Sequence, residues 1–282
     1  VQFSSRDAYD DEFLGEMLYD SKILVDVLHG NRKISANDKY GNGSYLKDIS
    51  KWTIGYILGV EWEDVTVQYT NKMHPDKNTY QGKYMYTTED ATPFEAILAQ
   101  VGDKIIEYET KRYKTQKLVA FSNWPTTDPF DYSLEVENYF RKIAKVDVEH
   151  IKTTDKVISG TFASYHIYPY YPDYLSYEGD INQYKDENGN INTYLAYLKK
   201  VVEHHSIPVL ITEFGVPSSR GMAQKDKNTG RNQGGMSETE QGEAIISCYN
   251  QIMEAGCAGG IVFTWQDEWF KRTWNTMNAV DL

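Results

Sequence analysis

The chain has 282 residues, 40% of them hydrophobic, which is enough to bury a sizeable core in one domain. Its formal net charge of -12 disfavours a nucleic acid or an anionic membrane surface as partner, because phosphate groups would be repelled. No apolar run of about 18 residues occurs and the first residues lack the regions of a signal peptide, so no membrane span or leader is predicted and localisation stays open. We expect a single domain over residues 1–282.

Two residue types bear on the class of protein. The two cysteines, Cys248 and Cys257, are about one helix length apart, so no disulfide framework is expected. Aromatic residues make up 14% of the chain, with 23 tyrosines and 6 tryptophans, and many flank predicted loops. Flat rings beside hydrogen-bonding groups suit the faces of sugars, although each single ring is more simply explained by packing.

The N-terminal part shows a helix, a loop and a strand. Apolar residues at helical spacing predict a helix from Asp10 or Asp11 to His29-Gly30, in which His29 is a partner of the helix dipole rather than a ligand. Residues 31–50 are polar and predict a loop, and Val1-Gln2-Phe3 reads as the end of a strand. A buried strand over 52–60 then stops at carboxylates.

Helices and strands alternate along the remaining chain. Residues 66–91 are predicted to form a long insertion, and the segment from Pro217 to Met236 a mobile flap. Helices are predicted at about 92–114, 134–144, 194–204 and 237–254, and strands at 118–122, 160–168, 207–215 and 259–265. This alternation predicts an α/β protein with a parallel sheet and right-handed crossovers.

Polar side chains collect where the apolar strands end. They are Glu61, Trp62 and Glu63, then Asn123, Trp124 and Asp128, then His166 and Tyr168, then Glu213, and finally Trp265 and Gln266. In a (β/α)8 TIM barrel these strand ends meet at one mouth, where catalytic residues lie. Two glutamates facing each other at about 5 to 5.5 Å are what hydrolysis of a glycosidic bond with retention requires.

These residues resemble a known group of enzymes. Gly-Val-Glu61, Thr-Glu213-Phe-Gly, His166-x-Tyr168 and the strand-terminal Trp265 look like the clan of retaining TIM-barrel glycoside hydrolases that contains β-galactosidases and cellulases. The resemblance implies that Glu213 is the nucleophile and Glu61 the acid/base. It also implies that His166 and Tyr168 support the nucleophile, that Trp265 floors the sugar subsite, and that Trp62, Asn123, Trp124 and Gln266 help to bind the oligo- or polysaccharide substrate.

The chain departs from the clan at two points. The clan usually has Asn before the acid/base, where this chain has Val60; Glu63 is therefore an alternative acid/base, and Asn123 a candidate for the missing amide. Five strands are predicted where a closed barrel needs eight. We therefore expect the C-terminal portion of a barrel, from strand three or four to strand eight, completed by an upstream part of the same polypeptide.

Other chemistries find less support. His204 and His205 are adjacent at a helix end and are not expected to face one metal, and Asp147-Val-Glu149-His150 makes a poor metal cluster. No phosphate-binding glycine loop, dinucleotide fingerprint or nucleophile elbow occurs, so no cofactor or metal is expected. The alternatives to a hydrolase are a non-catalytic carbohydrate-binding pseudoenzyme and a transglycosidase.

Overall fold

The computed structural model describes residues 7–35, 41–218, 225, 227–228, 230 and 233–266. The helices are α1 (Asp11–Leu28), α2 (Asp64–Met73), α3 (Pro93–Tyr113), α4 (Leu134–Phe140), α5 (Gly179–Asn182), α6 (Thr193–His204) and α7 (Glu238–Glu254). The strands are β1 (Arg32–Ile34), β2 (Gly43–Tyr45), β3 (Gly55–Leu58), β4 (Met85–Thr87), β5 (Leu118–Asn123), β6 (Ile151–Thr153), β7 (Ala163–His166), β8 (Val209–Phe214) and β9 (Gly259–Val262).

The chain is a mixed α/β protein that divides into two compact units. The first unit comprises Val1–Ser122, Thr127–Pro129 and Ala144–Phe162, and the second unit the remaining residues. In the first, β3 and β5 are parallel, with Tyr56 opposite Val119. In the second, β7, β8 and β9 are parallel, with β8 in the middle. None of the described helices is long and apolar enough to cross a membrane.

Helix α3 forms the core of the first unit. Thr92 and Glu95 form a reciprocal capping box at its start, with Pro93 at the first helical position, as the sequence predicts. Phe94, Ile97 and Leu98 are fully buried on this helix. The helix packs against α1, α2, β4 and β6, so its apolar surface holds together segments that are distant in sequence.

Three carboxylates on α3 are also buried, and each is surrounded by donors. They belong to Glu95, Asp103 and Glu109. Asp103 accepts hydrogen bonds from the amides of Tyr84 (2.6 Å) and Met85 (3.1 Å). Glu109 accepts from the Tyr56 hydroxyl (2.8 Å). The hydrogen bond and burial raise the Tyr56 pKa above its ordinary value, with burial the larger cause. A buried charge is tolerated when it is satisfied in this way.

His29, the residue that follows α1, also contacts one of these buried carboxylates. Its Nε2 lies 3.0 Å from Glu109 Oε1, and its ring stacks on Tyr113 at 3.8 Å between centroids. His29 is the C-cap residue of α1, which confirms the predicted end of the helix, and its side chain joins α1 to α3. Its predicted interaction with the helix dipole stays a prediction.

The second unit contains three parallel strands and the helices that cover them. Helix α6 is capped by the Asn192 side chain, and α7 begins with the predicted Ser237 and Glu240 capping box. Gly256 follows α7 with φ +88°, a left-handed conformation that favours glycine. Cys248 and Cys257 are free and buried, and burial raises the pKa of Cys257 to about 12. A disulfide between them is therefore absent.

The sequence predictions are confirmed for the parallel strands and for the long helices, but two loop predictions are wrong. Residues 31–50 contain the antiparallel pair β1 and β2, and residues 66–91 contain most of α2 and all of β4, which pairs antiparallel with β6. Helix α2 was missed because its buried face includes Thr66 and Thr70, which count as polar. The Thr70 hydroxyl accepts a hydrogen bond from the Ala8 amide, which makes burial of the threonine tolerable.

Several predictions stay open. Val1-Gln2-Phe3 and much of the segment from Pro217 to Met236 lie outside the described residues. The single domain, the closed eight-stranded barrel and an upstream part that completes it also stay predictions. The confirmed part is the coarser one: a mixed α/β chain with parallel strands and, in addition, two small antiparallel pairs.

The ion pair between His150 and Glu95 predicts a pH-dependent stability. Their atoms Nδ1 and Oε2 lie 2.8 Å apart, and this hydrogen bond, opposed in part by burial, raises the His150 pKa. A raised pKa in the folded state stabilises the fold below the unfolded value of about 6.5, and this stabilisation is lost as pH rises through the folded pKa. We expect His150→Gln to lower the free energy of unfolding more at pH 5.5 than at pH 9, measured by urea denaturation.

A double-mutant cycle with Glu95→Gln provides the control, since Glu95 also caps α3. The coupling energy between the two positions should be larger at pH 5.5 than at pH 9. An equal coupling energy at both values would contradict the assignment.

Candidate active site around Glu213

Glu213 lies near the C-terminal end of strand β8 in the second unit. Val209, Ile211 and Phe214 on this strand are buried, and the backbone carbonyl of Glu213 accepts a hydrogen bond from the Ile167 amide at 2.9 Å. The glutamate is thus the polar end of an apolar strand that is paired on both sides. Such strand ends are where parallel α/β proteins place reactive groups.

Strand β8 carries one more residue than either neighbour at this point. Tyr165 pairs with Ile211, but the next residue, His166, pairs with Glu213, so that Thr212 is the extra residue. The register against β9 shifts over the same stretch, between Ile211 and Phe214. A bulge re-aims the side chain that follows it, and bulges are over-represented beside active sites.

The extra residue is held by hydrogen bonds from its own side chain. Thr212 Oγ1 lies 2.7 Å from Ser164 Oγ and 3.3 Å from the carbonyl oxygen of Tyr165. Both hydroxyls are buried, and their mutual bond satisfies them. The Thr-Glu sequence therefore has a structural reason: the threonine fixes the bulge that places the glutamate.

Two side chains from the end of β7 contact the Glu213 carboxylate. The Tyr168 hydroxyl donates a hydrogen bond of 2.9 Å to Oε2, and His166 Nδ1 lies 3.5 Å from the same oxygen. The Glu213 side chain is 28% exposed and that of His166 is 13% exposed. The carboxylate is therefore held in place and still accessible from solution.

Gly215 allows the chain to pass close to β9 after the glutamate. A Cβ atom at this position would lie 2.7 Å from the carbonyl oxygen of Phe263, which is closer than atoms can pack. The sequence Glu-Phe-Gly thus combines a positioned carboxylate with a backbone contact that only glycine permits.

The loop after β7 is rich in tyrosine and is folded back on itself. Tyr168 and Tyr171 form an antiparallel bridge, and Tyr171 stacks on Trp124 of the loop after β5, with ring centroids 6.0 Å apart and planes at 21°. The Tyr174 hydroxyl donates to the carbonyl oxygen of Pro125. The tyrosine and tryptophan side chains of these two loops are therefore fixed within the second unit. The sequence indicates Tyr171 only as one of many aromatic residues beside predicted loops, because nothing in its pattern distinguishes it from its neighbours.

The two candidate acid/base residues follow β3 in the first unit. Glu61 and Glu63 are both exposed. Glu63 precedes α2 at the capping position, but its side chain makes no capping hydrogen bond. Because they belong to a different unit from Glu213, the pairing of either residue with Glu213 stays a prediction.

Two predicted substrate-binding residues are buried. The Trp62 side chain is 2% exposed, packs edge-on against Phe94 and donates a hydrogen bond of 2.8 Å to the Ser122 carbonyl. Asn123 is fully buried, and its Oδ1 accepts from the Trp124 amide at 2.9 Å. Both have the surroundings of packing residues.

Trp265 and Gln266 end the described part of the chain after β9. Trp265 is 92% exposed and Gln266 is also exposed. The predicted role of Trp265 as the floor of a sugar subsite stays a prediction.

The sequence argument about the adjacent histidines needs a correction. The rings of His204 and His205 lie 4.9 Å apart in an edge-to-face arrangement, and their nitrogen atoms lie within 4.8 Å of each other. They do face one region, because His205 follows the last helical residue and its backbone is extended. His205 Nε2 lies 2.8 Å from the Tyr165 hydroxyl, which already accounts for this nitrogen.

The fold and the site together define a mixed α/β protein with a positioned, accessible glutamate at the end of a parallel strand. No protein-family model and no curated protein matches the chain. Among solved structures, a β-glucosidase from Exiguobacterium marinum matches with a TM-score of 0.35 and 9% identity, over 90% of this chain and 61% of that one. The chain therefore spans less than two thirds of that structure. A similarity this weak carries no argument about the fold or the reaction.

The difference in burial between Trp62 and Trp265 predicts effects of different size on stability. Trp62→Ala should lower the free energy of unfolding by about 3 to 5 kcal/mol, because it leaves a cavity in the core. Trp265→Ala should change it by less than about 0.5 kcal/mol. Urea denaturation of both variants checks this, and equal losses would show that one placement is wrong.

Proposed function

We propose that the chain is a retaining glycoside hydrolase, an enzyme that cleaves O-glycosidic bonds, with Glu213 as its nucleophile. The observation that carries the proposal is the carboxylate of Glu213. It follows a bulge at the end of β8, accepts a hydrogen bond from Tyr168 and is accessible. A carboxylate that is fixed and reachable suits attack on an anomeric carbon.

The contacts of Tyr168 and His166 to the carboxylate, within the described part of the chain, both involve Oε2, and Oε1 is the oxygen that we propose bonds to the sugar. In the first step Oε1 attacks the anomeric carbon, the glycosidic bond breaks, and an acid protonates the departing oxygen. In the second step the same acid, now a base, takes a proton from water, which attacks the anomeric carbon and releases Glu213. The Tyr168 hydroxyl holds the carboxylate in one orientation during both steps.

Glu61 is the proposed acid/base, with Glu63 as the alternative. The (β/α)8 barrel belongs to the same proposal, since that fold brings the C-terminal ends of its strands to one mouth. Trp124, Trp265 and Gln266 are the proposed sugar-binding residues, because their side chains are at least partly exposed. The proposal requires no cofactor, and the substrate class is an oligo- or polysaccharide.

The role of Glu213 predicts a specific product. Glu213→Gln should lower kcat on an activated aryl glycoside by about 10³-fold or more. Glu213→Gly should recover turnover in azide and release a glycosyl azide of inverted configuration, because azide then attacks from the side of the missing carboxylate. Proton NMR of the product gives the configuration.

Glu203→Gln is a matched control, because Glu203 is an exposed glutamate on α6 of the same unit. It should leave kcat unchanged. Near-normal activity of Glu213→Gln would overturn the assignment. Sugar binding without turnover by the unmodified chain would indicate the pseudoenzyme, and transfer to an added acceptor sugar the transglycosidase.

The acid/base residue can be identified by the same reagent. In the acid/base variant the nucleophile is intact, so azide should attack the glycosyl enzyme and give an azide of retained configuration. We expect Glu61→Gly to lose about 10² to 10⁴ in kcat and to give this product, and Glu63→Gly to do neither. The reverse result would assign the role to Glu63, and a retained azide from neither variant would refute both.

A further inference from the structure

We propose that an exposed apolar and basic face of the first unit binds a short acidic segment of a partner protein, one that carries apolar side chains of its own. The residues of this face precede β3 and β5 or lie in the segment beside them, and they are Lys51, Trp52, Ile54, Lys117, Lys156 and Ile158. We call it the amino-end face. Glu61 and Glu63 follow the opposite end of β3, so binding at this face is independent of the proposed hydrolysis.

Hydrogen bonds join the three segments that form the amino-end face. The Leu118 amide donates to the Ile54 carbonyl oxygen (3.3 Å), which joins the segment before β3 to the segment before β5. The Ile158 amide donates to Gln116 Oε1 (2.9 Å), and Gln116 Nε2 donates to the Lys156 carbonyl oxygen (3.0 Å). Residues that are distant in sequence are therefore neighbours at this end of the two strands.

Three large apolar side chains of the face are exposed. Trp52 is 64% exposed, Ile54 79% and Ile158 84%, whereas Ile97 and Ile106 in the core of the same unit are buried. A single exposed apolar residue is ordinary, but a group of them beside charged residues is typical of a surface that binds another protein. Tryptophan is also enriched among the residues that contribute most to such binding.

Lysines surround these apolar side chains. Lys51 Nζ lies 4.1 Å from the centroid of the Trp52 ring, and Lys117 and Lys156 belong to the segments joined by the hydrogen bonds above. Lys51 and Lys156 are exposed, and neither forms an ion pair within the described part of the chain. Their ammonium groups are therefore available to a partner.

Two carboxylates adjoin the lysines without balancing them. Asp48 Oδ1 accepts a hydrogen bond from the Ser50 amide (2.8 Å), and Asp155 is exposed beside Lys156. Lys47, which precedes Asp48, is exposed as well, so lysines outnumber carboxylates here. The face is locally basic, although the whole chain carries a net charge of -12.

The contrast between local and total charge favours a short partner segment. Charges are screened over about 8 Å at physiological ionic strength. A bilayer, a nucleic acid or a second copy of the chain is larger than this distance and would also meet the acidic remainder of the surface. A short acidic segment is attracted by the lysines without that repulsion, and its apolar side chains would cover Trp52, Ile54 and Ile158.

The experiment measures binding of a model peptide to the whole chain. The probe is a fluorescein-labelled peptide of about 14 residues, with leucines at helical spacing and glutamates at the other positions. Lysine replaces glutamate in one control peptide, and serine replaces leucine in the other. We expect fluorescence anisotropy to give a Kd of about 10 to 100 µM for the probe, and binding of each control at least about tenfold weaker.

Matched variants test whether the peptide binds at the amino-end face. Lys51→Glu and Lys156→Glu should each raise the Kd about 5- to 10-fold, whereas Lys185→Glu, the same change at an exposed lysine of the second unit, should raise it less than about twofold. Ile158→Ser should raise it about tenfold, and Ile246→Ser on α7 should not. All five positions are exposed, so the variants should fold, which circular dichroism checks.

Three results with the peptides would overturn the proposal. They are absence of binding at about 1 mM probe, equal binding of a control peptide, and equal effects of Lys51→Glu and Lys185→Glu. Two other assays test larger partners. Co-sedimentation with vesicles of phosphatidylcholine and phosphatidylserine that Lys51→Glu abolishes would assign the face to a membrane, and self-association in sedimentation velocity that Lys51→Glu abolishes would assign it to a second copy. Either result would also overturn the proposal.

Discussion

The bulge at Thr212 is the constraint on which the candidate site depends. Without the extra residue, His166 would lie opposite Thr212, and the side chain at position 213 would point elsewhere, since successive residues of a strand alternate between its faces. The Ser164 hydroxyl holds the threonine in this position. The position of the Glu213 carboxylate thus follows from the register of β8, which also places His166 of β7 opposite Glu213.

The Glu213 carboxylate is both held in place and accessible to solvent. Tyr168 fixes the carboxylate of Glu213, while the side chain keeps 28% of its surface in contact with solvent. A carboxylate with a structural role is instead closed to solvent and surrounded by donors. Glu109 is such a carboxylate, since it is 2% exposed and has donors at both oxygens. The contrast supports the role proposed for Glu213, since of these two glutamates Glu213 is the accessible one.

The sequence predicts the elements that depend on strong local signals. The capping boxes at Thr92 and Ser237 and the apolar run that ends in Glu213 all lie where expected. It fails where burial involves polar atoms: α2 buries threonines, and Trp62 lies in the core although it stands beside two glutamates. The Thr212 bulge and the Trp124 stack could not be predicted, because they depend on pairing between segments that are far apart in the chain.

The buried carboxylates of α3 have a consequence for the way the first unit unfolds. Glu95 bonds the amide of Asp147, Asp103 bonds that of Tyr84, and Glu109 bonds that of Lys117. Each segment is thereby bonded to a carboxylate of the same helix, and releasing any one of them would remove a donor from a buried carboxylate. Partial opening is costly for this reason, so the first unit should exchange these amide protons together, as a single foldon with α3 as its common element.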